Sequence, residues 1–209
     1  MWYWIKTPLF LKKLFRNQVW DISSKNNTLY LTFDDGPTPD VTEKILSILS
    51  KYKAKATFFC IGKNVKNNPD LYNRIISSGN SFGNHSMTHP MGWGKSKKMY
   101  LEDVAEAEKL INSNLFRPPY GKINFKSNKA LQKKYKIIMW DVVGGDFDKN
   151  CSEKQLIKNI TENAVKGSII VLHDNNIVKE KMLGALPKII EILQNDGYTF
   201  KAIPFSPLR

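Results

Sequence analysis

Only two of the 209 residues are cysteine, Cys60 and Cys151, so no disulfide framework holds this chain together. Cys60 closes the apolar run Thr57-Phe58-Phe59 and reads as a buried thiol acting as a small hydrophobe. Histidine is scarce as well, with three residues in all: His85, His89 and His173. Acidic side chains are in deficit, 19 Asp and Glu against 32 Lys and Arg, for a formal net charge of +13. Such a balance favours an anionic partner: nucleic acid, a membrane surface or an acidic polymer. The basic residues are scattered over presumed helix faces and accompany no nucleic-acid-binding motif, which argues against nucleic acid. No repeat of fixed period and no Ser/Gly linker divides the chain, and its length suits one domain with a substantial core.

Long apolar runs are also missing. Met1 to Phe15 is rich in aromatics and leucine, but Lys6 and Pro8 interrupt it. It has neither the basic start nor the small-residue cleavage site of a secretory signal, and it is too short to span a bilayer. Residues 1–28 are therefore expected to pack on the domain's own surface or to lie on anionic lipid. Lys6, Lys12, Lys13 and Arg16 among aromatics suit an interfacial helix. A cytoplasmic protein is the default expectation, with peripheral membrane association as the second placement.

What the sequence does contain is an alternation of strand-like apolar runs and helix-like stretches. Strands are expected over Leu29–Phe33, Ala56–Ile61, Leu115–Arg117, Lys136–Val143, Ser168–Leu172 and Tyr198–Ile203, with a short run from Ser81 to Asn84 leading into His85. Helices are expected from about Asp40 to Tyr52, Pro69 to Ser78, Lys98 to Ile111, Phe125 to Tyr135, Ser152 to near Gly167, and Leu183 to Asn195. About seven strands alternating with helices imply parallel pairing, in an α/β barrel or a wound sheet. Ligands of such folds bind at the carboxyl ends of the strands. Asp34, Asp35, His85, Arg117, Asp146 and His173 all lie at or just beyond such an end.

Two adjacent carboxylates, Asp34 and Asp35, stop the first strand and are followed by Gly36-Pro37. Neighbouring residues in a regular strand face opposite ways, but a bend at Gly-Pro lets both reach one cavity. One acid is then available as a metal ligand and the other as a base; a plain solvated turn is the alternative. His85 and His89 form an i,i+4 pair that shares a face if the segment is helical, and with a carboxylate they would make a two-His-one-carboxylate set. His173, at the end of Ile169–Leu172, is either a satisfied polar group or, beside a metal, a general acid.

Thr32-Phe33-Asp34-Asp35-Gly36-Pro37, His85-Ser86-Met87-Thr88-His89, Arg117-Pro118-Pro119-Tyr120 and Val171-Leu172-His173 resemble, in order, four motifs of the polysaccharide deacetylases, the NodB-homology domains of carbohydrate esterase family 4. The resemblance runs from about Leu29 to Ile203. It implies a distorted (β/α) barrel, TIM-barrel-like, over residues 29–209, and one divalent metal ion, usually zinc. It also implies hydrolysis of N- or O-acetyl groups on N-acetylated carbohydrate such as chitin-like oligomers or peptidoglycan. By the same resemblance Asp34 is the catalytic base, Asp35, His85 and His89 the metal ligands, and Arg117 the residue orienting Asp34. Tyr120 offers a backbone N–H to the oxyanion, and His173 is the general acid. Val171, Leu172, Pro119, Trp140 and Phe147 are expected to line the substrate pocket.

The chain departs from the family pattern between Trp140 and Phe147. Val143 stands where an Asp is common and Phe147 where Trp is common, so Asp146 becomes the candidate for tuning His173, while Asp141 and Asp148 are expected to be solvated or capping. Two other readings remain beside the deacetylase: a hydrolase of another small amide or imide C–N bond, and a catalytically silent carbohydrate-binding protein.

Overall fold

The structure, a computed structural model, describes residues 3–94 and 96–208. In chain order the elements are α1 (Leu9–Leu14), β1 (Thr28–Asp34), α2 (Val41–Lys51), β2 (Ala56–Cys60), α3 (Gly62–Asn67), α4 (Pro69–Ser77), β3 (Ser81–Asn84), α5 (Lys97–Glu108) and β4 (Leu115–Phe116). They continue through α6 (Phe125–Leu131), β5 (Lys136–Ile137), β6 (Val142–Val143), α7 (Glu153–Thr161), β7 (Ile169–His173), α8 (Lys179–Asn195) and β8 (Thr199–Phe200). The sheet order is β5-β4-β3-β2-β1-β7-β6, with β8 beside the start of β1, and every strand pairing is parallel. This is the distorted (β/α) barrel expected from the sequence.

All seven residues of β1 are buried, as are all five of β2. Burial on both faces is why these strands read as unbroken apolar runs rather than as alternating ones. Strand alternation sorts their side chains into two cores. Leu29, Leu31 and Phe33 turn outward with Phe58, Ile170 and Leu172, against the α2 residues Ile45 and Leu49 and the α8 residues Ile189 and Ile190. Tyr30, Phe59, Leu115, Ile138 and Ile169 face the barrel interior. Burying each such side chain contributes roughly 1.5–3 kcal/mol.

The expected strand Lys136–Val143 is two short strands. Ile138 still bonds Phe116 of β4, but by Asp141 the chain has crossed to Ile169 of β7. Between them the carbonyls of Ile138 and Met139 turn to accept hydrogen bonds from Arg117, so this stretch cannot serve one continuous ladder. The resulting gap between β5 and β6 is closed by the segment before β1. Val19 pairs with Ile138 and Lys6 with Val142, supported by backbone bonds from Val143 to Ile5 and from Thr7 to Asp141. Helix α3 has one buried apolar side chain, Val65, too few to carry a periodic signal. Helix α7 ends six residues short of Gly167, and α8 starts four residues before Leu183. None of the described helices is long and apolar enough to cross a membrane.

Asp141, expected to be solvated or capping, is 1% exposed. Its carboxylate receives Lys6 and Lys12, each at 2.6 Å, and the Ser168 hydroxyl. Burial opposes its charge, but these donors outweigh that and hold it below the usual carboxylate range. Its partners lie far away in sequence, so the local pattern could not announce them. Replacing Asp141 with Asn leaves Lys12, 15% exposed, with only the half-exposed Asp21 and Lys6 with only the Asn163 carbonyl, and is expected to cost about 3 kcal/mol in denaturant unfolding. Because the folded-state pKa of Asp141 is depressed, its contribution is present above the ordinary carboxylate pKa and lost as pH falls below it. The wild-type advantage over the variant should therefore vanish in acid.

Candidate functional site

Side chains from the carboxyl ends of β1, β3, β4, β6 and β7 converge on one place. Asp34 is the last residue of β1 and is 3% exposed. Arg117 follows β4, is fully buried, and donates from Nη1 to Asp34 Oδ1 at 2.6 Å and to Thr32 Oγ1 at 2.7 Å. Its Nε and Nη2 donate to the carbonyls of Ile138 and Met139, and its guanidinium carbon lies 4.2 Å from the centre of the Phe59 ring. A buried cation with its donors occupied in this way fixes the orientation of Asp34.

Asp35 points elsewhere because the bend falls on Asp35 itself, at φ 90°, one residue earlier than Gly36-Pro37 suggested. A non-glycine residue at positive φ costs about 1–3 kcal/mol, and the surroundings hold it there. Asn64 bonds the Asp35 carbonyl at 2.7 Å, and Asp174 Oδ1 accepts the Gly36 N–H at 2.7 Å. A Cβ on Gly36 would stand 1.9 Å from Asp174 Oδ2, so only glycine fits.

His85 and His89 do meet Asp35, although not on a helix. Ser86 and His89 take φ values of 68° and 59°, and the loop is pinned by Asn84 and Asp103 accepting the N–H groups of Ser86 and Met87. The segment is therefore not helical, and the two imidazoles meet because capping side chains close a turn that spans the same spacing. His85 Nδ1 is 2.7 Å from the Arg117 carbonyl, an acceptor, so Nδ1 carries the proton and Nε2 is left as a ligand atom. Asp35 Oδ1 lies 3.7 Å from His85 Nε2 and 3.2 Å from His89 Nε2. One ligand atom from each of the three residues lies within 4.8 Å of the others. Asp35 Oδ1 is buried with no hydrogen-bond partner, as a carboxylate oxygen meant for a cation would be. Burial together with His85 pushes His89 down to about 4, so its imidazole is neutral at physiological pH. Burial works against the charge of Asp35, but His85, His173, His89 and the Asn175 amide hold its pKa below the ordinary value. The residues thus fit a divalent cation.

His173 closes the opposite side. Its Nδ1 is 3.0 Å from Asp146 Oδ1, and its backbone N–H donates to Asp146 Oδ2 at 2.7 Å. Burial disfavours its charged form, yet Asp146, Asp35 and Asp34 outweigh burial and push it up to about 10. Phe147 stands edge-on to His173 at 5.6 Å and packs on Tyr3 at 5.0 Å. Tyr120 has φ 59°, and its exposed ring lies 4.6 Å from His89. Pro119 is buried in the same turn, and Trp140 packs so closely behind it that a Cβ on Gly121 would come within 2.6 Å of the indole. Val171 shares the inward face with His173. Leu172 does not: it turns outward and packs against Leu156 of α7, so it is no part of the pocket. Strand alternation decides that correction, since neighbours in β7 cannot face the same way.

Three contributors went unread in the sequence. Thr32 supports Arg117. Asp174, with Thr42 donating to Oδ2, braces the Gly36 turn, and its burial pushes its pKa up to about 8 despite those bonds. Asn175 Nδ2 donates to Asp35 Oδ2 at 2.7 Å. The last two directly follow His173, and that adjacency was the available signal. Asn175→Ala removes a brace on a ligand oxygen and is expected to weaken divalent-metal binding about 10–100-fold in titration calorimetry, with the fold intact; unchanged affinity would remove Asn175 from the site.

The profile of the polysaccharide deacetylase family matches residues 21–139. A peptidoglycan-N-acetylglucosamine deacetylase of Bacillus cereus is 33% identical over 193 residues, 88% of this chain and 90% of that protein. A chitooligosaccharide deacetylase of Azorhizobium caulinodans is 30% identical, over 88% of this chain and 96% of that one. The crystal structure of the Bc1960 peptidoglycan N-acetylglucosamine deacetylase superposes with a TM-score of 0.85 at 30% identity, covering 90% of this chain and 91% of that one. The chain belongs to the polysaccharide deacetylase family, the hydrolases of carbohydrate esterase family 4.

Proposed function

We propose that this protein hydrolyses the N-acetyl groups of a glycan of the peptidoglycan or chitooligosaccharide type, releasing acetate and leaving a free amine on the sugar. The observation that carries the reading is the pairing, at one strand end, of a carboxylate locked by Arg117 with a buried, unpartnered carboxylate oxygen facing two histidines. Asp35, His85 and His89 would hold one divalent ion, with zinc suited to their two-nitrogen, one-oxygen donor set. When bound, the ion supplies Lewis acidity, polarising the acetyl carbonyl and acidifying water.

The chain's own residues do the rest. Asp34, held by Arg117, accepts a proton as the water oxygen forms its bond to the acetyl carbon. The Tyr120 N–H donates to the oxyanion that develops on the former carbonyl oxygen. The C–N bond then breaks, and His173 gives its proton to the departing nitrogen, which would otherwise leave as an unstable amide anion. Asp146 keeps His173 protonated and correctly turned. Val171, Pro119, Trp140 and Phe147 form the walls that receive the acetyl group and its sugar, and Phe147 offers them an aromatic surface without an indole donor.

Acetate release from N-acetylglucosamine oligomers and from peptidoglycan tests the reading. Asp34→Asn should lower kcat by about 10²–10⁴-fold while the fold and metal content persist; equal activity in both proteins sinks it. Asp146→Asn addresses the acid. His173 acts protonated, so activity is present below its pKa and lost above it. Without Asp146 that pKa drops from about 10 towards the ordinary imidazole value, and the alkaline limb of the kcat profile should move to lower pH by about one unit or more.

A further inference from the structure

Away from the site, one face of the molecule is both apolar and basic. Helix α1 buries none of its residues: Leu9, Phe10 and Leu14 are 72%, 61% and 69% exposed. Lys6 and Lys12 turn inward to Asp141, so the helix is tied to the barrel with its apolar side outward. A cavity of about 360 Å³ connects Leu14, Phe15 and Arg16 to Ile123 and Phe125. Phe125, 78% exposed at the start of α6, also walls a second groove of about 380 Å³, whose other walls carry Lys97, Lys126, Lys129 and Lys133. No carboxylate lines either cavity. Among the described residues, these four lysines, Lys13 and Arg16 have no acidic partner.

From these observations we propose that this face docks on an anionic phospholipid bilayer. Protruding apolar side chains on a convex helix gain nothing in water, and a monomer rarely keeps them without a use. Unpaired cations around them call for a negatively charged partner. A partner protein would need a recess to match each protruding side chain. A headgroup layer over acyl chains accepts them all, taking the apolar side roughly 5–10 Å deep while lipid phosphates meet the lysines. Short stretches of chain join this face to the site. Phe125 lies five residues after Tyr120, at most about 18 Å of extended chain, and exposed Trp93, bonded to the Ile123 carbonyl, lies four residues after His89. Docking would therefore set the site beside the bilayer, within reach of sugars presented there. Docking is read out by binding alone, so it stands or falls separately from the deacetylase reading.

The test is co-sedimentation of the full chain with vesicles of phosphatidylcholine mixed with phosphatidylglycerol, against pure phosphatidylcholine. Binding is expected to the mixed vesicles only, to weaken with salt, and to blue-shift tryptophan emission. The triple variant Lys126→Gln, Lys129→Gln, Lys133→Gln should lose about a hundredfold in vesicle affinity. Phe10→Ser with Leu14→Ser, both at exposed positions, should lose binding with an unchanged circular dichroism spectrum. Equal binding to neutral vesicles, no binding by the folded protein, or full binding by both variants would overturn the proposal. So would dimerisation, read by light scattering, that the Phe10/Leu14 variant abolishes in a protein that ignores vesicles; the face would then belong to a second copy.

Discussion

The buried ion pair between Arg117 and Asp34 is the constraint on which the rest depends. Removing two charges from water costs several kcal/mol per ion even after relaxation, and only close geometry with every remaining donor occupied offsets it. Arg117 comes close to that demand: beside Asp34, three more of its five N–H groups go to Thr32 and to the Ile138 and Met139 carbonyls, and the Phe59 ring packs against the guanidinium. Each partner then shapes something larger. Turning two consecutive carbonyls inward splits the strand between Lys136 and Val143, and the split leaves the gap that Ile5–Thr7 and Val19 fill. The carbonyl of Arg117 itself sets the tautomer of His85. One residue thus links Asp34, His85 and the seam of the barrel.

Around that pair the site separates like groups by their surroundings. Asp34 and Asp35 are sequence neighbours, yet one faces a guanidinium and the other two imidazoles and an amide. His89 and His173 diverge in the same way, one down to about 4 and the other up to about 10. Such divergence between chemically identical groups is the pattern that assigns acid, base and ligand in hydrolases. It arises here from placement alone, since no residue type in the site is unusual.

Much of this was legible because strand ends are legible. The apolar runs stop at Asp34, Asn84, Phe116 and His173, and parallel topology sends all those ends one way, so barrel and site converge from a single pattern. The misreadings share one cause, side-chain direction set by local backbone geometry. The two-residue period of β7 that brings Val171 to the pocket turns Leu172 away from it. The His85–His89 spacing fits a helix, but the caps from Asn84 and Asp103 make a turn that brings the same two rings together. Asp141 passed for a surface residue because the lysines that bury it lie over a hundred positions away. Val143, standing where an acid was expected, faces no such need: Asp146, three residues on, reaches His173 through both its backbone and its ring.

The raised pKa of His173 also bears on how the site tolerates its own charge. Asp34, Asp35 and Asp146 all favour the proton on His173, while only Asp34 has a fixed cation, Arg117, against it. Asp35 keeps an unpartnered oxygen, and beside it Asp174 is pushed towards its neutral form. The site therefore carries an excess of negative charge that one imidazolium does not balance. A divalent ion held by Asp35, His85 and His89 would relieve that excess and would lower the pull on the His173 proton. The proton would then be easier to give up with an ion in place, so the charge that favours a cation at Asp35 and the charge that raises His173 are two expressions of one electrostatic arrangement.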